Sequence, residues 1–247
     1  MNLLAAFGRD VVLGQACDTL ISSLSLADGG RALRTFVVTS AQPAEGKTTV
    51  AVCLALRMAA AGKRVLLIDA DLRRPMVHRL LGVDNAQGMV HLLNGGSAGA
   101  SAVQDVDLAG LLPGAAGTLA VLTSGRTPRS ATAVLQTASF SHVLRDVGAG
   151  RDAVVIDSPP VLSVSDSLWL VRHVDGVILV LSTGSTAEAD ARQAKGRIEE
   201  AGGRVLGLVL NRFDERLHGP GFHPYHAYYE IEFDGPGQGD GRASRNR

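Results

Sequence analysis

TFVVTSAQPAEGKTTVAVCLA (35–55) runs from a β-branched apolar stretch, through a short loop, into a segment with helical apolar spacing. That order, strand then loop then helix, allows the loop's backbone N–H groups to wrap a phosphate at a helix N-terminus, where unpaired donors and the helix dipole favour an anion. Within AEGKTT, Lys47 is placed to reach the β and γ phosphates of a nucleotide, and the hydroxyl of Thr48 to ligate Mg²⁺. The candidate nucleotide-binding positions are Ala44, Glu45, Gly46, Lys47, Thr48 and Thr49. Ala41 stands where the common pattern has its first glycine, so the string alone is weak evidence. A chance Gly-Lys-Thr at an ordinary helix start is the alternative, and the flanking strand and helix weigh against it.

Working outward, short β-branched runs recur as VLLIDAD (65–71), LAVLTSG (119–125), DAVVIDS (152–158), GVILVLS (176–182) and VLGLVLN (205–211). They read as doubly buried strands. Helical spacing between most of them predicts right-handed crossovers, hence an α/β P-loop fold with a mostly parallel central sheet, helices on both faces and one domain. Ligands of such sheets bind beyond the carboxyl ends of the strands. Residues 94–118, rich in Gly, Ala and Ser, read as a loop-rich excursion. The expected organisation is an N-terminal helical segment over 1–34, a nucleotide-binding core over 35–213, and a flexible tail over 214–247, aperiodic from Gly235.

At 247 residues and 46% hydrophobic content the chain can bury a sizeable core. Lys plus Arg and Asp plus Glu are both 24, so no global charge draws it to nucleic acid or an anionic membrane. Cys17 and Cys53 lack metal or disulfide spacing and read as packing residues. MNLLAAFG is interrupted by Arg9 and Asp10, too short to span a membrane and without a preceding basic region, which predicts a cytoplasmic location.

Strand-end acids extend the chemistry. In IDADLRR, Asp69 and Asp71 are two apart and leave the sheet on one side, so both carboxylates can face the phosphates. In VVIDSPP, Asp157 follows four apolar residues, as expected of an acid that orients Mg²⁺. Taken singly, each acid is as well explained by a turn or a helix cap. With Lys47 they converge on one magnesium nucleotide, with ATP and Mg²⁺ as the cofactors. The chain's three tyrosines all fall in PYHAYYE, as Tyr225, Tyr228 and Tyr229. A docked aromatic tail fits that cluster, since a tyrosine ring packs on apolar surface while its hydroxyl stays wet. His218, His223 and His226 share the tail, and without further ligands they read as a solvated polar segment rather than a metal site.

SAQPAEGKTTVAVCLA, VLLIDADLRRPMVHRLLGVDNAQGMVHLLNG and DAVVIDSPPVLSVSDSLWLVRHVDGVILV resemble the Walker A, second acidic and Walker B regions of bacterial tyrosine kinases of the CpsD/CapB type, which act in capsular and exopolysaccharide synthesis. The likeness covers about residues 11 to 230. It implies that Lys47 and Thr48 hold the phosphates and Mg²⁺, that Asp71 and Asp157 complete the metal shell, and that Asp69 is the candidate base for a tyrosine hydroxyl. It also places Asn211 near the adenine, whose edge an amide can read. Tyr225, Tyr228 and Tyr229 become acceptors phosphorylated by neighbouring copies. A separate membrane-embedded activator becomes the expected partner, holding the chain at the inner face of the plasma membrane.

Two departures concern assembly and loop shape. Gln15, Asp18 and Ile21 replace the Glu, Arg and Arg of the family's subunit-contact helix, which predicts a monomer or weak dimer. Ala44 stands where the family often has glycine, and alanine adopts positive φ only at a cost. Two other classes fit parts of the sequence. A partitioning or division-site ATPase shares the fold, but usually has a second lysine where this chain has Gln42. A nucleotide-dependent scaffold would need no phosphoryl transfer.

Overall fold

The apolar runs assemble into one sheet in the computed structural model, which describes residues 11–26, 33–95, 102–112, 114–136 and 139–213. The strands are β1 (Thr35–Ser40), β2 (Arg64–Asp69), β3 (Val103–Val106), β4 (Thr118–Leu122), β5 (Ala153–Asp157), β6 (Gly176–Ser182) and β7 (Val205–Asn211), in the spatial order β3-β4-β2-β5-β1-β6-β7. All neighbours are parallel except β3, which runs antiparallel to β4. The chain divides into two units, Met1–Asn211 and Arg212–Arg247. Of the second, only Arg212 and Phe213 are described, so the tail with Tyr225, Tyr228, Tyr229, His218, His223 and His226 lies outside the described residues.

β1, β5 and β6 are buried on both faces, as their unbroken apolar runs predict. One face is covered by α1 (Val11–Leu26), α2 (Lys47–Ala60) and α3 (Val77–Leu81), which bury Cys17, Leu24, Val52, Leu56 and Val77 against Phe36, Val38, Leu67 and Val155. α4 (Met89–Leu93) lies on the other face, and α5 (Leu108–Leu111) follows β3. Beyond them α6 (Ala131–Leu135), α7 (Ser139–Gly148), α8 (Asp166–Leu170) and α9 (Glu188–Glu200) pack Leu135, Phe140, Leu170 and Ile198 over Val37, Leu66 and Ile156. Leu66 is fully buried, and trimming it to alanine would cost about 2–5 kcal/mol in lost transfer energy and cavity. At the amino end of the sheet Asp175 accepts the backbone N–H groups of Arg34 (2.8 Å) and Thr35 (2.7 Å) and the hydroxyl of Thr35 (2.9 Å), fixing β1 beside β6. Both Cys17 and Cys53 are buried, consistent with packing roles.

Two expectations are corrected at the sheet's edges. The supposed loop over 94–118 contains β3, whose VQDV sequence mixes polar and apolar side chains because an edge strand is only partly covered. β7 is not doubly buried: it is the opposite edge, with Leu208 and Leu210 more than half exposed. An apolar groove of about 370 Å³ separates it from α1, lined by Leu13, Leu20, Leu24, Cys53, Leu206 and Leu208. Asn85 and Gly88, at the two ends of NAQG (85–88), dock on the end of β4. The Asn85 amide accepts from the N–H of Gly125 (2.9 Å) and donates to its carbonyl (3.1 Å), while any Cβ on Gly88 would lie 2.2 Å from the carbonyl oxygen of Thr123.

Candidate active site

Parallel pairing sets the acids side by side. Asp69 at the end of β2 is the register partner of Asp157 at the end of β5, and β1, whose end feeds the P-loop, lies on the other side of β5. The loop turns through two left-handed residues, Ala44 at φ 64° and Gly46 at φ 94°. Gly46 is required there twice over, by its φ and because a Cβ would fall 2.0 Å from Nδ2 of Asn211. Lys47 then opens α2, only 9% exposed.

The Lys47 ammonium donates to Oδ2 of Asp71 at 2.8 Å and to the hydroxyl of Thr48 at 3.2 Å, and lies 3.6 Å from Oδ1 of Asp157. Burial works against its charge, but the charges of Asp157 and Asp71, the bond to Asp71 and the charge of Asp69 outweigh it, holding Lys47 above the usual lysine value. Asp71 also accepts the N–H of Arg74 at 3.0 Å. Burial pushes the carboxyl of Asp157 above the usual carboxylate range, and the charge of Lys47 offsets this only in part. Neither Asp157 oxygen has a hydrogen-bond partner. Asp69 is pushed up first by burial and then by the charge of Asp157. Its Oδ1 accepts the N–H of Asp71 (3.2 Å), and its Oδ2 accepts those of Met76 (3.1 Å) and Val77 (3.0 Å). Asp69 thus holds the turn into α3, the structural role open to any strand-end acid.

These residues fit a magnesium nucleotide. An orphaned buried carboxylate, an excess of acids over the single ammonium and a helix N-terminus together ask for a divalent cation and a polyanion. Among the described residues no three His, Cys, Asp or Glu side chains form a metal cage. Mg²⁺ takes one or two carboxylates and completes its shell with phosphate oxygens and water.

Other candidates sit at the rim. The Asn211 amide donates to the carbonyl of Glu45 at 2.9 Å, so one of its hydrogens is engaged by the P-loop itself. Thr49 lines the groove between α1 and β7. The half-exposed carboxylate of Asp18 takes the Arg57 guanidinium of α2 in a bidentate pair, with Nε at 2.6 Å. A network absent from the sequence expectations joins Arg73, just past Asp71, to the buried Asp166 of α8 (2.7 Å) and to Thr132 of α6 (3.0 Å), with Thr132 donating to Asp166 at 2.6 Å. No local pattern in the sequence joins these residues, since the partners are far apart in the chain.

Residues 32–214 match the ParA family model, described as NUBPL iron-transfer P-loop NTPase. The tyrosine-protein kinase YwqD of Bacillus subtilis (strain 168) is 35% identical over 193 residues, 78% of each chain. The chain belongs to the bacterial tyrosine-protein kinase family. Solved members of the tyrosine kinase group superpose closely. The kinase domain of Escherichia coli tyrosine kinase ETK gives a TM-score of 0.77 at 28% identity, covering 86% of this chain and 82% of that one. The chimerical protein CapA2B2 gives 0.78 at 25% identity, covering 87% and 92%.

Proposed function

We propose that this chain is an ATP-dependent protein-tyrosine autokinase that regulates capsular or exopolysaccharide synthesis and transfers the γ-phosphate to Tyr225, Tyr228 or Tyr229 of a neighbouring copy. The observation that carries the reading is the convergence of Lys47, Asp71 and Asp157 at the mouth of a P-loop, in a chain related to tyrosine-protein kinases over most of its length. Lys47 stabilises the charge that spreads over the transferring phosphoryl group. Thr48, Asp71 and Asp157 hold Mg²⁺, which supplies further charge neutralisation at the phosphates. The backbone N–H groups from Ala44 to Thr49 bind the phosphates, and Asn211 closes the loop towards the adenine. Asp69 takes the tyrosine proton: its Oδ1, bonded only to the N–H of Asp71, keeps a lone pair for it. The tyrosine oxygen then bonds to phosphorus as ADP leaves.

No helix among the described residues is long and apolar enough to cross a membrane. A cytoplasmic chain held at the membrane by a separate activator, and acting on other copies of itself, is the arrangement consistent with this site. Incubation with Mg²⁺ and γ-labelled ATP tests the reading. Label on protein tyrosine supports it, release of phosphate alone favours a partitioning-type ATPase, and neither leaves a nucleotide-dependent scaffold.

A further inference from the structure

The P-loop is fastened from the β6 side by groups outside the phosphate-binding string. Glu45 is 3% exposed, and among the described residues no ion pair includes it. Its two oxygens are used separately. Oε2 accepts the N–H of Gln42 at 2.9 Å, across the arch of the loop, and Oε1 accepts the hydroxyl of Thr186 in the turn between β6 and α9. Thr186 is itself fixed, because its Oγ1 accepts the N–H of Ser182 at 2.8 Å and its own N–H reaches the carbonyl of Ser182 at 2.9 Å. The Gln42 amide adds a bond to Asp190 of α9 at 3.3 Å.

A buried carboxylate beside a phosphate site is electrostatically unfavourable, so its value has to lie in two well-placed acceptors rather than in its charge. What they hold is an arch that passes through Ala44 at φ 64°, a conformation alanine does not favour by itself. We propose that Glu45 and Thr186 form a clamp that preorganises the P-loop, which makes Thr186 a positioning residue for nucleotide binding. This rests on the reading of the loop as a nucleotide site.

Dissociation constants for MgATP, measured calorimetrically on the full chain and set beside KM and kcat, test the clamp. Thr186→Val should raise Kd and KM about tenfold, the loss expected for one hydrogen bond to a buried carboxylate, with a smaller effect on kcat. Thr186→Ser, which keeps the hydroxyl, should restore Kd to within about twofold of wild type. Glu45→Gln keeps one acceptor for Gln42 and offers a donor to Thr186 while losing the charge, so it should bind MgATP more tightly than Glu45→Ala. Combining Glu45→Ala with Thr186→Val should add nothing to Glu45→Ala alone. Additive losses, a Thr186→Ser protein as weak as Thr186→Val, or a Glu45→Gln protein as weak as Glu45→Ala would each overturn the clamp. If Thr186→Val fails to fold, the Ser and Gln variants decide. Wild-type protein that binds MgATP but labels no tyrosine sinks the kinase reading, while the order of the constants still decides the clamp. Wild type that binds no MgATP sinks both.

Discussion

Replacing Lys47 with methionine keeps most of the side chain's bulk and removes the one ammonium among three carboxylates. Its contacts at 2.8 Å to Asp71 and 3.6 Å to Asp157 are each worth roughly 5 kcal/mol gross at an effective dielectric constant of about 20. Desolvation of the three charges cancels most of that, and breaking a buried pair by deleting one partner typically leaves a loss of about 3–5 kcal/mol. A domain of this size with ordinary stability survives such a loss, but its melting temperature should fall by roughly 6–20 °C. Phosphoryl transfer should fall about a hundredfold or more, because the cation that stabilises the transition state is gone. Thermal melts followed by circular dichroism, with and without MgCl₂, and transfer from labelled ATP read the two effects. Added Mg²⁺ should recover part of the lost stability by replacing the missing positive charge. A folded Lys47→Met protein with near-normal transfer, or one that melts like wild type, would refute the assignment of Lys47 to the buried acids and the phosphates.

Asp69→Asn should lower turnover and also stability, the latter by about 1–3 kcal/mol, because an amide puts a donor where three backbone N–H groups need acceptors; an unchanged melting temperature would mean those bonds do not hold the turn. At Asp175, burial raises the carboxyl, but the N–H groups of Arg34 and Thr35 and the Thr35 hydroxyl outweigh it and lower the folded value. Its contribution is therefore complete above the usual aspartate pKa near 4 and fades as pH falls through the folded value. Asp175→Asn should cost roughly 1 kcal/mol at pH 7, allowing for solvent exposure, and less in acid; a cost that grew on acidification would contradict this. Changing Tyr225, Tyr228 and Tyr229 together to phenylalanine removes every tyrosine, so mass spectrometry should then find no phosphotyrosine. An unmodified tail in wild type after incubation with ATP and an activator would favour the docked-tail alternative. With Gln15 and Ile21 in α1 and Asp18 paired within the chain to Arg57, light scattering at micromolar concentration should show a monomer or weak dimer, and a stable ring would refute that.

The sequence by itself determined the order of six of the seven strands and the helices between most of them, the place of the P-loop, and the strand ends that carry Asp69, Asp71 and Asp157. These follow from local rules: side chains alternate along a strand, apolar residues recur with the helical turn, and a glycine before lysine and threonine permits the left-handed turn at Gly46. The resemblance carried by the same stretches named the family. Tertiary structure alone decided what those side chains hold. Asp69 stands beside Asp157 because β2 pairs with β5, a spatial order that no run of residues spells out. Arg73 meets Asp166 across 93 residues, and Glu45 meets Thr186 across 141. Asp18, read as a damaged subunit contact, became the partner of Arg57 once α1 lay against α2. β7 read as a core strand, yet among the described residues no strand lies beyond it in the sheet, which makes it an edge. A side chain's type is fixed by the chain, but its partner is fixed by which distant backbones the packed sheet brings within hydrogen-bonding reach.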